Sequence, residues 1–273
     1  MKQLLERLDR PTQCINNMDC IHGMRTLIAE NTVDVCITSP PYNMGTFYNS
    51  YDDNRPLPEY LDWMYQCFKE IHRILPTVGS LFLNMGARPT NQCTPFQVLD
   101  MATRPGLFTL QNTVHWIKSI AIGDDTFGHY KPINSPRFIN NCHEYIFHLT
   151  PMGSTPLNRK SIGVPYTDKS NIGRWENAGD GLHCRGNCWY LPYKTILDRS
   201  DRPHPATFPP QLPEMCLKLH GVENIRLVCD PFMGIGNTAI ACKQLELSFM
   251  GFEIDAEYCK IAHELLKKGT TND

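Results

Sequence analysis

The sequence predicts an open α/β fold, a mainly parallel sheet covered by helices on both faces, and three observations lead there. Short apolar, β-branched runs alternate along the chain with longer stretches whose apolar residues recur at helical spacing. At 273 residues the chain can bury one large core and still carry an insertion, but it is short for two full domains. Two motif-bearing loops each follow directly on an apolar run: Thr38-Ser39-Pro40-Pro41-Tyr42 after residues 33–37, and Asp230-Pro231-Phe232-Met233-Gly234-Ile235-Gly236-Asn237-Thr238 after residues 225–229. In such folds ligands bind where strands end and loops begin.

Taken in order, the chain opens with a strand near 13–15 and a helix from Asp19 to about Glu30, with Ile21, Met24, Leu27 and Ile28 at helical spacing. A strand over 33–38 follows. A second helix, over about 58–75, places Leu61, Met64, Tyr65, Phe68, Ile71, His72 and Leu75 on one side and ends before Pro76 and Gly79. A strand at 80–84, a helix at 94–103 and two strand-like runs at 107–118 and 144–149 complete this part. From 150 to 202 periodicity gives way to Gly, Pro, Ser, Asn, aromatic and basic residues, which marks an insertion with its own task. Helix 211–220, strand 225–229, helix 238–246, strand 249–253 and helix 256–267 follow. The expected organisation is 1–149 and 203–273 as two parts of one core, with 150–202 between them. There is no internal repeat and no low-complexity tract.

Composition narrows the function classes. The apolar content of 41% is ordinary for a soluble protein, and no apolar run approaches the ~18 residues of a membrane span. The N-terminus is charged and has no apolar signal region, so a cytoplasmic protein is expected. The 12 cysteines are scattered like small buried apolar residues (Cys36, Cys67, Cys216, Cys229, Cys242), which reads as reduced thiols. Cys184 and Cys188 have no second pair at zinc-site distance, and their segment reads as an ordinary loop. A net charge of -2 argues against nonspecific coating of nucleic acid but leaves specific binding open. Charge is unevenly placed: residues 150–202 hold eight Lys/Arg against five Asp/Glu, whereas the segment after Gly221 is acidic.

Glycines at Gly234 and Gly236 let backbone approach a ligand closely. This loop lacks the third glycine of a dinucleotide fingerprint and the Gly-Lys-Ser/Thr of a P-loop, which counts against NAD and ATP and suits a cofactor without phosphates. Glu253 stands 19 residues beyond Gly234, the offset at which an acid takes ribose hydroxyls. Asp255, just before a helix, fits an N-cap instead.

Together the two motifs resemble the amino-methyltransferases of DNA, which use S-adenosylmethionine (SAM). Their order resembles the permuted β class, in which the catalytic motif precedes the cofactor loop. Ser39, in place of the more usual aspartate or asparagine, resembles the cytosine-N4 branch found in restriction-modification systems. The resemblance implies a Rossmann-like SAM-dependent methyltransferase fold with circularly permuted motif order and a small inserted DNA-recognition region. It also implies that Asp230 faces the methionine end of SAM, that Thr238 binds its carboxylate, that Asp19 lies near the adenine and that Phe232 shares the cofactor loop. The block 204–209 resembles the segment before the helix closing the methionine pocket, with Thr207 and Phe208 as contacts; without the family it reads as a Pro-rich linker. Double-stranded DNA is the implied partner. A homodimer, and a cognate restriction endonuclease acting on the same site without a stable complex, are compatible with it.

Methylation of an exocyclic amine needs no covalent enzyme intermediate, but the nitrogen lone pair is delocalised into the ring and must be made available to attack. Ser39 and the carbonyl of Pro40 supply acceptors for the amino protons, Pro40 and Pro41 stiffen the loop, and Tyr42 offers a face for an extruded base. A Pro-Pro-Tyr alone would be an ordinary bend. A cytosine-C5 enzyme would need a Pro-Cys pair, which is absent. In the insertion, Arg174, Trp175, Arg185, Trp189, Tyr190 and Tyr193 interleave basic and aromatic groups, which suits phosphate contact and base readout. Core packing is an equal alternative for Trp189. The rival functions are adenine-N6 methylation with an atypical serine, methylation of RNA or a protein amide, and a DNA-binding module with a dead site.

Overall fold

The computed structural model describes residues 12–128, 133, 135–168, 170, 172, 181–192 and 207–268. In chain order they form β1 (Gln13–Asn17), α1 (Cys20–Leu27), β2 (Val35–Thr38), α2 (Leu57–Ile74), β3 (Ser80–Met85), α3 (Thr94–Ala102), β4 (Thr109–Ile117), β5 (Ser119–Ile122), β6 (Asp125–Gly128), β7 (His143–Thr150), β8 (Val164–Pro165), β9 (Leu182–His183), β10 (Cys188–Tyr190), α4 (Gln211–His220), β11 (Leu227–Asp230), α5 (Asn237–Gln244), β12 (Ser248–Glu253) and α6 (Ala256–Lys268). Eight strands make one sheet in the order β1-β12-β11-β2-β3-β7-β4-β10. All neighbours are parallel except β7, which runs antiparallel between β3 and β4.

This order has a switch point between β11 and β2. From β2 the chain steps outward to β3, and from β11 it steps the other way to β12, so the connections diverge and a crevice opens at the C-terminal ends of the two central strands. Period-2 alternation assigns each strand residue to a face. On one face Cys36, Leu81, Leu83 and Phe252 meet Met24 of α1 and Tyr60, Met64, Phe68 and Ile71 of α2. On the other, Val35, Ile37, Phe82, Val228 and Phe249 meet Leu212 and Leu217 of α4, Ala241 and Cys242 of α5 and Ala262 of α6. The helical spacing of apolar residues in 58–75 is therefore the buried stripe of α2, which stops one residue before Leu75-Pro76.

Two parts of the chain differ from expectation. Residues 119–128 form the hairpin β5–β6, turned at Gly123 (φ +60°); being exposed beyond Ile120, it shows no alternation to read. The insertion is also not wholly separate from the core, because β10 joins the edge of the main sheet against β4. Trp189 on β10 is 1% exposed and packs in the second core, its indole N–H donating to the carbonyl of Gly186 at 3.0 Å. It offers no surface to DNA, which corrects that assignment. An aromatic at the centre of a three-residue edge strand is held by sheet packing that composition cannot reveal.

Candidate active site

The switch point brings the two motifs side by side. Thr38, the last residue of β2, donates its hydroxyl to Asp230 Oδ1 at 2.8 Å, joining residues 192 apart in the chain. Asp230 Oδ1 also accepts the Phe232 amide at 3.1 Å, and Oδ2 accepts the Thr238 hydroxyl at 2.6 Å. Burial pushes the Asp230 carboxyl up to about 6, although the Thr238 and Thr38 hydroxyls and the Phe232 N–H draw it down. It ties the ends of β2, β11 and α5 together from behind the loop.

In front of that joint lies a cleft to which the loops at the strand ends contribute. Met18, Asp19 and Cys20 follow β1; Ser39, Pro40, Pro41 and Tyr42 follow β2; Pro231, Phe232, Gly234, Ile235 and Asn237 follow β11; Phe252 and Glu253 end β12 and Ile254 follows it. Thr207 and Phe208 line it too, and the Phe208 carbonyl accepts Asn237 Nδ2 at 2.7 Å. Of the residues singled out in the sequence, Asp19, Ser39, Pro40, Pro41, Tyr42, Thr207, Phe208, Phe232, Gly234 and Glu253 are thus brought together. Asp230, Gly236 and Thr238 are not among the residues lining it. Asp230 and Thr238 are buried and bonded to each other, and Gly236 (φ +85°) is needed where the loop enters α5, since a Cβ there would meet Ala262 of α6 at 3.1 Å.

Asp19 and Glu253 are two of the four carboxylates that line the cleft. Asp19 caps α1, accepting the His22 amide at 2.8 Å, and stays exposed at the rim. Glu253 accepts Gly234 N–H at 3.0 Å and Asp255 N–H at 2.8 Å, one on each oxygen, which fixes it across the glycine loop. Burial raises the Glu253 carboxyl, and the nearby carboxylates of Asp255 and Asp230 add to this, against the lowering by the two amides. Asp255 is the N-cap of α6, accepting from Glu257 and Tyr258. Among the described residues the only cation lining the cleft is Arg55, and it lies over the rings of Tyr51 (4.7 Å) and Trp63 (5.4 Å). Acidic groups, apolar walls and no basic phosphate clamp fit SAM, a phosphate-free molecule carrying a sulfonium and hydroxyls.

The opposite wall was not foreseen. Tyr48, Ser50, Tyr51, Asp52 and Arg55 line the cleft from residues 43–55, with Trp63 of α2 behind them. Asp53, 2% exposed, folds this loop by accepting the amides of Asn43 (2.7 Å), Met44 (3.1 Å) and Thr46 (2.9 Å). Ser50 then ties it to the cofactor half by donating to Asp255 Oδ2 at 2.7 Å. Burial raises the phenols of Tyr48 and Tyr51, which stay neutral. The density of aromatic and small polar residues in 47–51 was the available signal, but it lacks periodicity.

The Ser39–Tyr42 loop is held from below. Tyr60 donates to the Pro41 carbonyl at 2.8 Å. Ser39 Oγ and Tyr42 Oη lie 2.7 Å apart, and Tyr42 donates to Glu144 Oε2 at 3.0 Å. The Tyr42 ring packs so closely on Gly86 that a Cβ there would come within 2.8 Å of it. Arg185 is exposed, its Nε donating to the Ile162 carbonyl at 2.9 Å; it precedes β10, whose N-terminal end points away from the catalytic edge, so the structure does not bring it to the cleft. Arg174 and Trp175 lie outside the described residues.

A family model described as DNA methylase, of the N6 and N4 type, matches residues 33–264. The chain belongs to the N6/N4 DNA methylase family. It is 31% identical over 252 residues to the type II methyltransferase M.BglII of Bacillus subtilis, an alignment covering 88% of this chain and 65% of that protein, so the chain spans a little under two thirds of that relative's length. It is 24% identical over 263 residues to the DNA adenine methyltransferase YhdJ of Escherichia coli (strain K12), covering 93% and 83%. Its fold matches the cytosine-N4-specific PvuII DNA methyltransferase with a TM-score of 0.66 at 17% identity, covering 93% of this chain and 88% of that one. Within this family the mostly parallel sheet with helices on both faces is the methyltransferase fold. No helix among the described residues is long and apolar enough to cross a membrane.

Proposed function

We propose that this protein methylates the exocyclic N4 amine of a cytosine flipped out of double-stranded DNA, with SAM as methyl donor, in a restriction-modification setting. The observation that carries the reading is the single cleft shared by the glycine-loop carboxylate Glu253 and the Ser39–Tyr42 loop, which lets one face hold the donor and the other the acceptor. When bound, SAM supplies an electrophilic methyl on a sulfonium. Ser39 Oγ and the Pro40 carbonyl accept hydrogen bonds from the two amino protons, which turns the nitrogen lone pair out of conjugation and toward the methyl as positive charge develops, and one of these protons leaves to solvent after transfer. Tyr42 lines the base side, and the neutral phenols of Tyr48 and Tyr51 with Trp63 keep water out.

Serine in the catalytic motif favours cytosine. The similarity to an enzyme named as a DNA adenine methyltransferase supports adenine N6 as the second reading, because both bases present an exocyclic amine beside a ring nitrogen. DNA contact through Arg174 and Trp175 is part of the same proposal. Incubating the protein with unmethylated genomic DNA and labelled SAM, followed by nucleoside mass spectrometry, tests it: labelled N4-methylcytosine is expected, N6-methyladenine would replace the first reading by the second, and no labelled nucleoside would refute both.

A further inference from the structure

Behind Ser39 a polar chain runs from Tyr42 to three residues outside both motifs, Asn84, Lys118 and Glu144. Glu144, on β7, takes Lys118 Nζ on Oε1 at 2.7 Å, and on Oε2 it takes Asn84 Nδ2 at 2.7 Å and Tyr42 Oη at 3.0 Å. Asn84 Nδ2 also donates to Tyr42 Oη at 2.6 Å. Tyr42 Oη and Ser39 Oγ are 2.7 Å apart, and either could donate there on distance alone.

The chemistry of the donors removes that ambiguity. Burial pushes the Glu144 carboxyl up, but Lys118, Asn84 and Tyr42 outweigh it and leave it below the ordinary carboxylate range, so it is an acceptor only. The Asn84 amide must present its N–H groups here, since the reverse orientation would set its oxygen 2.7 Å from the carboxylate. This orientation is kept although it leaves Asn84 Oδ1 buried without a partner. A phenol has one proton, and that of Tyr42 is committed to Glu144; the proton between Tyr42 and Ser39 therefore belongs to Ser39. With its proton turned back toward Tyr42, Ser39 presents only lone pairs to the cleft.

We infer that Glu144, acting through Tyr42, is a positioning residue that fixes the polarity of the Ser39 hydroxyl, making it an obligatory acceptor for the amine of the target base. Without this constraint the hydroxyl is free to rotate and to donate to the ring nitrogen beside the amine, which would draw electron density away from the attacking nitrogen. The inference rests on the proposed amine methylation and adds to it the residue that orients the acceptor.

Wild-type chain is first shown to methylate DNA; no transfer here refutes the proposed function rather than the polarity argument. Single-turnover rates and SAM affinities are then compared for Tyr42→Phe, Glu144→Gln, Glu144→Asp and the Tyr42→Phe/Glu144→Gln double variant. The expected result is a rate reduced about tenfold or more in Tyr42→Phe and Glu144→Gln with SAM affinity within about twofold, since a preorganised hydrogen bond acts on the transition state. Glu144→Asp, still an acceptor, recovers part of the rate. Adding Glu144→Gln to Tyr42→Phe has no further effect, because the carboxylate acts through the phenol. Wild-type rates in Tyr42→Phe or Glu144→Gln, additive losses in the double variant, or an Asp variant as slow as the Gln variant would overturn the inference. If the Gln variant does not fold, the near-isosteric Tyr42→Phe decides alone.

Discussion

Replacing Asp230 with alanine should unfold the protein more readily before it says anything about the cofactor. The carboxylate is 1% exposed and accepts two hydroxyls and one amide, from Thr38, Thr238 and Phe232. Leaving a buried donor unsatisfied costs about 1–3 kcal/mol, so the loss amounts to roughly 3 kcal/mol even when the hydroxyls rotate to find other acceptors. That is a large part of the roughly 5–15 kcal/mol that holds a domain together. Asp230→Asn keeps one acceptor oxygen for Thr38 and Phe232 and can donate to Thr238, and should lose about 1 kcal/mol or less. The wild type also separates from both variants by pH. Between the ordinary value of 3.8 and about 6 the folded state holds a proton that the unfolded chain has released, so stability declines as pH rises through that window. Two units correspond to about 3 kcal/mol, and both variants, lacking the titrating carboxyl, should lack this decline. Urea unfolding at pH 4.5 and 7, which captures roughly 2 kcal/mol of that decline, measures both effects, with SAM calorimetry on the folded variants. An Ala variant with the wild-type midpoint and weakened SAM binding would refute the structural role and restore direct contact with the cofactor.

Ser39→Ala should slow single-turnover methyl transfer by about a hundredfold while SAM affinity stays near wild type, because the lost acceptor acts as charge develops on the amine; equal rates would sink the proposed chemistry. Glu253→Gln keeps an acceptor for only one of the Gly234 and Asp255 amides and should weaken SAM binding by about tenfold or more, as read by calorimetry. Unchanged affinity would remove Glu253 from the site. Asp53→Ala releases three backbone amides and should make residues 43–55 the first point of cleavage in limited proteolysis, with the Tyr48–Tyr51 wall lost; a cleavage pattern like the wild type's would show that Ser50–Asp255 and the aromatic contacts suffice to hold the loop.

Much of this protein was legible from local pattern. The helical stripe of α2, the strands before each motif and the cap at Asp255 follow from spacing and side-chain chemistry within a few residues, and the structure repeats them. The glycine loop and the acid 19 residues beyond it meet because α5 carries the chain back and β12 then runs parallel beside β11, so that Glu253 reaches Gly234 N–H. Lateral relations are another matter. That β2 lies beside β11, joining Thr38 to Asp230, is a property of sheet order, which no short window contains. The same holds for the burial of Trp189 by an edge strand, for the Asp53 anchor that shapes 43–55, and for Glu144, which reads along β7 as one alternating residue among several. Sequence determined which residues could do chemistry, because bond-forming capacity is a property of each side chain. Only the tertiary structure decided which face the cleft and which stand behind it, because burial and hydrogen-bond partners are set by strands that are neighbours in space and distant in the chain.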